Sequence, residues 1–386
     1  MKFRNKGRKI YKTKEKNYYG KTPLGKFFSG VLTIILIAGV GVLGYSVAGP
    51  MIDYSRRQGD EEPVENTVAE PAEDVTEEPV VMLHEKTPEN DAYRGVRLSE
   101  YEISTPEAIK TAISRIPQEQ NIEYIEVPLK LADGRIMYAT EWTEFPELVT
   151  AGITLGEITR TIKKEGYKPV AYMDIFADNI IPSVYSDYGY MDTESLTAWK
   201  DGNSKTWASP YSETYMNYVD FIAQEISGAG FEKIICGDIK FPDFTERDLI
   251  LLDDNRLENP VPALSAAAGM LYNTITANNS DMFLEVDSAD ILSGKADILS
   301  VTDKKHTIVL DINLDGIISG VNTGKTVYEF IGTPTENISK MLYLVSEDIS
   351  GFNVIVRISG NSYNTSDLLR AVWDMAETGY NSFILG

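Results

Sequence analysis

From residue 93 onward, short β-rich runs alternate with amphipathic helical patterns, and this repetition constrains the fold more than any other feature of the chain. Alternation of that kind builds parallel sheets, because joining two parallel strands takes a crossover long enough to hold a helix. Eight β-rich runs can be placed, at residues 93–98, 122–129, 169–176, 233–239, 282–287, 307–312, 353–358 and 382–385. Between them, residues 106–116, 155–165, 213–226, 262–276 and 366–377 carry apolar side chains at helical spacing. The pattern predicts an α/β fold, a (β/α)8 TIM barrel over residues 93–386. A long insert over residues 178–210 follows the third strand, on the loop face where barrel active sites form.

The chain before the barrel divides by composition. Residues 1–26 hold ten Lys and Arg against one acid, Glu15, and residues 27–52 carry no charge. A run of that length spans a bilayer core, which needs about 20 residues. The expectation is a basic cytoplasmic segment, one transmembrane helix over 27–52, and everything after it outside the cell, since basic flanks stay inside. A cleaved signal peptide is the alternative, with Ser46, Val47 and Ala48 as a cleavage-like triplet. Residues 53–92 then turn to Glu, Pro, Val and Thr, which cannot bury enough apolar surface to offset their ordering entropy, and read as a disordered acidic stalk. The expected localisation is the cell membrane, single-pass, with the C-terminal domain extracellular.

Charge and composition exclude several classes of function. A formal net charge of -22, with the basic residues gathered at the N-terminus, leaves no footprint for nucleic acid on the barrel. Cys236 is the single cysteine, so no intrachain disulfide forms, and its apolar strand marks it as a buried structural thiol. His84 and His306 stand far apart and outside any metal-binding spacing, which argues against zinc and against a Ser-His-Asp triad. No cofactor or metal is expected. One oxygen-ligand pattern does occur, Asp311, Asn313, Asp315 and Gly316, but its twelfth position is Asn322 and it follows a strand. A polar turn is the simpler reading.

Residues 230–242 read Gly-Phe-Glu-Lys-Ile-Ile-Cys-Gly-Asp-Ile-Lys-Phe-Pro. This segment resembles G-F-D-E-I-x-x-D-Y-I-R-F-P, a signature of a glycoside hydrolase family built on a (β/α)8 barrel. Laid on it without gaps, the family's central acid falls on Gly237, and Asp238 falls on its Tyr. Alternation along a strand turns Asp238 away from the lumen unless a bulge re-aims it. Residues 127–138 are similar to I-D-V-K-D-D-x-G-R-I-x-Y, keeping Lys130, Asp133 and Gly134 but putting Pro128 where the family has an acid. Residues 171–178 resemble A-R-I-x-x-F-K-D, with Phe176 and Asp178 kept and Tyr172 in place of Arg. Residues 199–211 parallel W-x-D-x-G-x-W-x-D-P-Y, with Ser209 for the second Asp. The resemblance implies the barrel fold and a carbohydrate ligand, with two expected acids gone.

Glycoside hydrolysis ordinarily needs two carboxylates facing each other across the bond. By strand parity Glu126 and Asp174 should enter the lumen, and Glu285 and Asp287 share one face of the fifth strand, so a displaced catalytic pair would come from Glu126, Asp174 and Glu285. The alternative is that these acids are satisfied by buried cations such as Lys130 and Arg357. Substrate binding would fall to Lys130, Asp178, Trp199, Asp201, Trp207 and Tyr211, the rings stacking on sugar faces and the polar groups holding hydroxyls. Packing of the loop onto the barrel is the competing role for those rings. The chain is thus expected to be a membrane-anchored, glycoside-hydrolase-like barrel whose partner is an envelope polysaccharide or a partner protein. Two functions remain open: binding with lost or rearranged acids, and hydrolysis by a displaced carboxylate pair.

Overall fold

A computed structural model describes residues 92–117, 121–145, 148–259, 261–360, 362–363, 365–376 and 379–386. The basic segment, the transmembrane expectation at 27–52 and the stalk up to residue 91 lie outside the described residues. Among the described residues no helix is long and apolar enough to cross a membrane.

Eight parallel strands close into a barrel in chain order. They are β1 (Arg94–Arg97), β2 (Tyr124–Lys130), β3 (Lys168–Asp174), β4 (Lys233–Gly237), β5 (Asp281–Asp287), β6 (Thr307–Asn313), β7 (Asn353–Ser359) and β8 (Phe383–Leu385). Closure comes from β1 pairing with β8, Gly95 opposite Ile384. The longer covering helices are α1 (Pro106–Ile113), α2 (Leu155–Lys164), α3 (Glu213–Gly228), α4 (Val261–Ala277), α5 (Pro334–Val345) and α6 (Thr365–Ala376). The β5–β6 crossover carries only two short helices, Ser288–Leu292 and Ile298–Val301.

The two faces of each strand make two cores. Outward residues such as Ile125, Val127, Ile234 and Cys236 pack under the helices. Inward residues Tyr93, Val170, Tyr172, Ile235, Phe283, Val309, Ile355 and Ile384 fill the lumen. This plug is what layered side chains do in a barrel of eight strands. Cys236 is fully buried in the outer core, and burial pushes its thiol pKa well up, which makes it inert as a nucleophile.

Two strands depart from simple alternation, and both departures shape the mouth. In β2 the register with β3 slips between Pro128 and Lys130, so Lys130 pairs with Met173, an outward residue. Pro128 has no N–H to give the ladder, and a bulge beside it is where a strand tolerates that loss. In β4 the strand stops at Gly237, two residues short of the expected end, because Asp238 takes a left-handed φ of 50°. Asp is among the few residues that enter this region readily.

Candidate active site in the barrel mouth

A layer of charge lies above the apolar plug, on side chains from five strands. Glu126 of β2 is fully buried between two guanidinium groups: Arg97 Nη1 of β1 lies 2.8 Å from its Oε1, and Arg357 Nη2 of β7 is 2.9 and 3.0 Å from its two oxygens. Arg357 also pairs through Nη1 with Glu285 of β5. The Tyr172 phenol of β3 stands at the centre, its oxygen 2.7 Å from Asp174 Oδ1 and 3.1 Å from Glu285 Oε1. Arg97 lies 3.9 Å and Arg357 4.8 Å from the centre of its ring. The three acids singled out by strand parity are therefore brought together, yet Glu126 has no exposed surface with which to touch a substrate. Its two arginines make it part of the floor, and Arg97 and Arg357, rather than Lys130, are the cations that meet it.

Closer to solvent stands a second set of carboxyls, on Asp238, Asp287 and Asp311. Asp238 takes a left-handed φ, so strand alternation does not hold there, and its charge acts on Asp174 and Asp311 of the lumen. Its Oδ1 is 3.2 Å from Lys240 Nζ, which reaches Asp290 Oδ2 at 2.7 Å. Burial alone would lower the Lys240 pKa, but Asp238 and Asp290 outweigh it and raise it. Burial and the charge of Asp238 push Asp174 up to about 7, against the Tyr172 hydrogen bond and the charges of Arg97 and Lys130. Burial and Asp287 push Asp311 up to about 7, against Arg97. Asp287 is raised by burial and Asp290, against Lys240. Each of these shifts has the cause expected where carboxyls outnumber cations in a confined space.

Asp311 sits on β6 in the lumen, Asn313 caps the short helix Leu314–Ile317 by accepting from Gly316 N at 3.0 Å, and Asp315 lies within that helix. Asp315 Oδ2 accepts from Ser362 N at 3.3 Å, and among the described residues no cluster of His, Cys, Asp or Glu forms a metal site.

The aromatic loop after β3 folds onto the β4 loop. Trp199 is only 5% exposed, packs with Tyr190, Leu252 and Leu257, and donates its indole N–H to Asp248 at 3.0 Å. Its faces are covered, so the packing alternative describes Trp199. Trp207 and Tyr211 are half-buried at the edge of the same cluster. Trp207 donates to Asp201 Oδ2 at 3.1 Å, while Asp201 Oδ1 accepts from the backbone of Asn203 and Lys205. Tyr211 donates to Arg256 O at 2.9 Å and carries that guanidinium over its ring.

A family model described as "Putative glycosyl hydrolase domain" matches residues 95–366, which is most of the chain. The chain belongs to this family. No curated protein sequence matches the chain. Among solved structures, the glycoside hydrolase domain of PgaB (BpsB) from Bordetella bronchiseptica superposes with a TM-score of 0.55 at 12% identity, over 77% of this chain and 94% of that one. The alpha-L-fucosidase isoenzyme 2 from Paenibacillus thiaminolyticus gives a TM-score of 0.46 at 12% identity, over 75% of this chain and 49% of that one. At such identities the likeness is one of fold.

The family's retained motif residues have a structural use in this chain. Lys130 and Asp178 are both fully buried, their Nζ and Oδ2 3.4 Å apart, on the helix side of the barrel wall. Asp178 also accepts from the backbone N–H of Ile180 and Ile181 and from the Tyr215 hydroxyl of α3. Gly134 makes room for it: a Cβ there would fall 2.9 Å from Asp178 Cγ, and the φ of +95° suits glycine alone. Neither Lys130 nor Asp178 can meet a substrate, which corrects their expected binding role. The bulge in β2 is the reason, since it turns Lys130 out of the lumen. Strand parity misses Asp238; it puts Asp287 on one face with Glu285 although the candidate set leaves it out, and Asp311 enters only through its oxygen-ligand pattern; the Gly-Asp doublet at 237–238 is the available signal for the first.

Proposed function

We infer that the chain is a glycoside hydrolase whose acids have been rearranged, and that it works on an envelope polysaccharide from the outer face of the membrane. The observation that carries this reading is the re-aimed Asp238. The position where the family places its acid is a glycine, and the next residue takes a left-handed φ, pairs with Lys240 and raises Asp174, Asp287 and Asp311 through its charge. A glycosidase needs one carboxyl that holds a proton near neutrality and another that does not. Asp174 and Asp311, raised to about 7, fit the first need, and Asp238, 3.2 Å from Lys240 Nζ, supplies a further carboxyl. Membership of the glycosyl hydrolase family and the position at the C-terminal ends of the strands support the same reading. The charge-free run at 27–52 and the acidic segment after it would tether the barrel near a substrate that stays in place.

A second reading, glycan binding without turnover, is favoured by one observation: Glu126 and Glu285 are both committed to arginine. The experiment that separates the two is incubation of the full-length chain with a panel of envelope polysaccharides, following released reducing ends. Hydrolysis predicts release that falls at least about 100-fold in Asp238→Asn and in Asp311→Asn, the loss usual for a catalytic acid or base. Retained binding with no release from any glycan would establish the second reading.

A further inference from the structure

We propose that Tyr172 stands in for the acid missing from β4 and relays a proton between Asp174 and Glu285; the inference rests on the hydrolytic reading of the mouth. Its geometry is that of a substitution in space. A Cβ added at Gly237 would overlap the Tyr172 hydroxyl, lying 2.9 Å from its Cζ and 3.1 Å from Asp174 Oδ1. The phenol oxygen therefore fills the place into which a side chain at position 237 would project. Tyrosine at 172, so placed, requires glycine at 237.

The phenol oxygen has one proton to donate and lone pairs to accept, yet it faces two carboxyls, at 2.7 and 3.1 Å. Both contacts are satisfied only when one carboxyl is protonated and donates to the oxygen while the phenol donates to the other. The relay step follows directly. Protonated Asp174 gives its proton to the phenol oxygen as the phenol gives its own to the Glu285 carboxylate, so the tyrosine is neutral before and after. Asp174 is 4% exposed, whereas the Glu285 side chain is 14% exposed. A buried store of one proton is thereby connected to a carboxyl that a ligand can reach.

The surroundings act on both ends of that exchange. Asp238 on β4 disfavours charge on Asp174, while Arg97 on β1 and Lys130 on β2 favour it. Arg357 on β7 anchors Glu285. Arg97 and Arg357 lie against the Tyr172 ring and fix its place. Burial and the charge of Asp174 raise the phenol pKa well above its usual value, which keeps the tyrosine a neutral carrier.

The test is pH-difference infrared spectroscopy on the full-length chain, following the carbonyl band of protonated carboxyls with isotope-labelled glutamate to separate Glu from Asp. An Asp311→Asn background removes the other carboxyl raised to about 7. The relay predicts that part of the signal lost near pH 7 belongs to glutamate, that Glu285→Gln removes this part, and that Tyr172→Phe abolishes it while the aspartate part remains. Tyr172→Phe should also move the aspartate midpoint up by roughly one pH unit, since a hydrogen bond to the carboxylate is lost. Gly237→Ala, which keeps the phenol but evicts its oxygen, should abolish the glutamate part as well. A wild-type signal that is wholly aspartate, or a glutamate part that survives Tyr172→Phe, would overturn the relay. Neither result depends on turnover, so a chain that hydrolyses nothing can still pass, and an active one can fail.

Discussion

The barrel holds two buried groups of charge, and they are built on opposite principles. Behind the wall, Lys130 and Asp178 form one cation and one anion, both fully buried, with the remaining carboxylate bonds taken by Ile180, Ile181 and Tyr215. In the lumen and at its mouth, Arg97, Arg357 and Lys240 face Glu126, Asp174, Asp238, Glu285, Asp287, Asp290 and Asp311. A balanced, dry pair holds a loop to the scaffold. An unbalanced, partly wet group carries carboxyls that cannot all be ionised together, and that is a property useful for chemistry and costly for stability.

The largest expected effect tests the balanced side. Lys130→Met keeps the volume but strands the Asp178 charge in a dry site, which costs about 3–5 kcal/mol when one partner of a buried pair is removed. Urea unfolding of the two proteins measures it. Arg97→Met removes a cation from the lumen, where the Arg97 side chain is 24% exposed and water can enter, and should cost less. Equal losses would break the distinction between the two groups.

The unbalanced side should show the reverse sign. Asp174 has its folded pKa raised from 3.8 to about 7. Between those values the folded chain holds a proton that the unfolded chain gives up, so stability falls as pH rises through that window and stays reduced above it. Asp174→Asn removes the penalty. The variant should be more stable than the wild type at pH 8, by on the order of a few kcal/mol, and indistinguishable or weaker at pH 4. Thermal unfolding across that range gives the answer, and a wild type whose stability is flat from pH 4 to 8 would mean that Asp174 is not strained.

The same contrast explains what the sequence could reveal. Periodicity located all eight strands and the helices at 106–113, 155–164, 213–228, 261–277 and 365–376, because burial patterns are local. It passed over α5, although Thr333 and Glu336 form a capping box around Pro334. Parity brought Glu126, Asp174 and Glu285 to one lumen, since all three lie within regular strand. It failed for Lys130 and Asp238, each at a point where the backbone leaves regularity. Beyond such a point a count of two no longer says which way a side chain faces. Nor could it foresee that Tyr172 would fill the space at Gly237, a contact between strands that no local pattern encodes.

The smallest effect sharpens the comparison at the rim, between two tryptophans of one loop. Trp199 is covered and bonded to Asp248, whereas Trp207 is half-buried and bonded to Asp201. Trp199→Phe retains a ring of similar shape and loses one hydrogen bond, so it should cost about 1 kcal/mol in unfolding and leave glycan retention unchanged. Trp207→Phe gives up the matching indole bond to Asp201 from a ring that reaches solvent, and should weaken retention on immobilised polysaccharide while changing the unfolding midpoint little. The two readouts should therefore cross: stability responds to the first tryptophan, and binding to the second. If both variants lose only stability, the loop is packing throughout, and ligand recognition falls to the carboxyl-lined mouth alone.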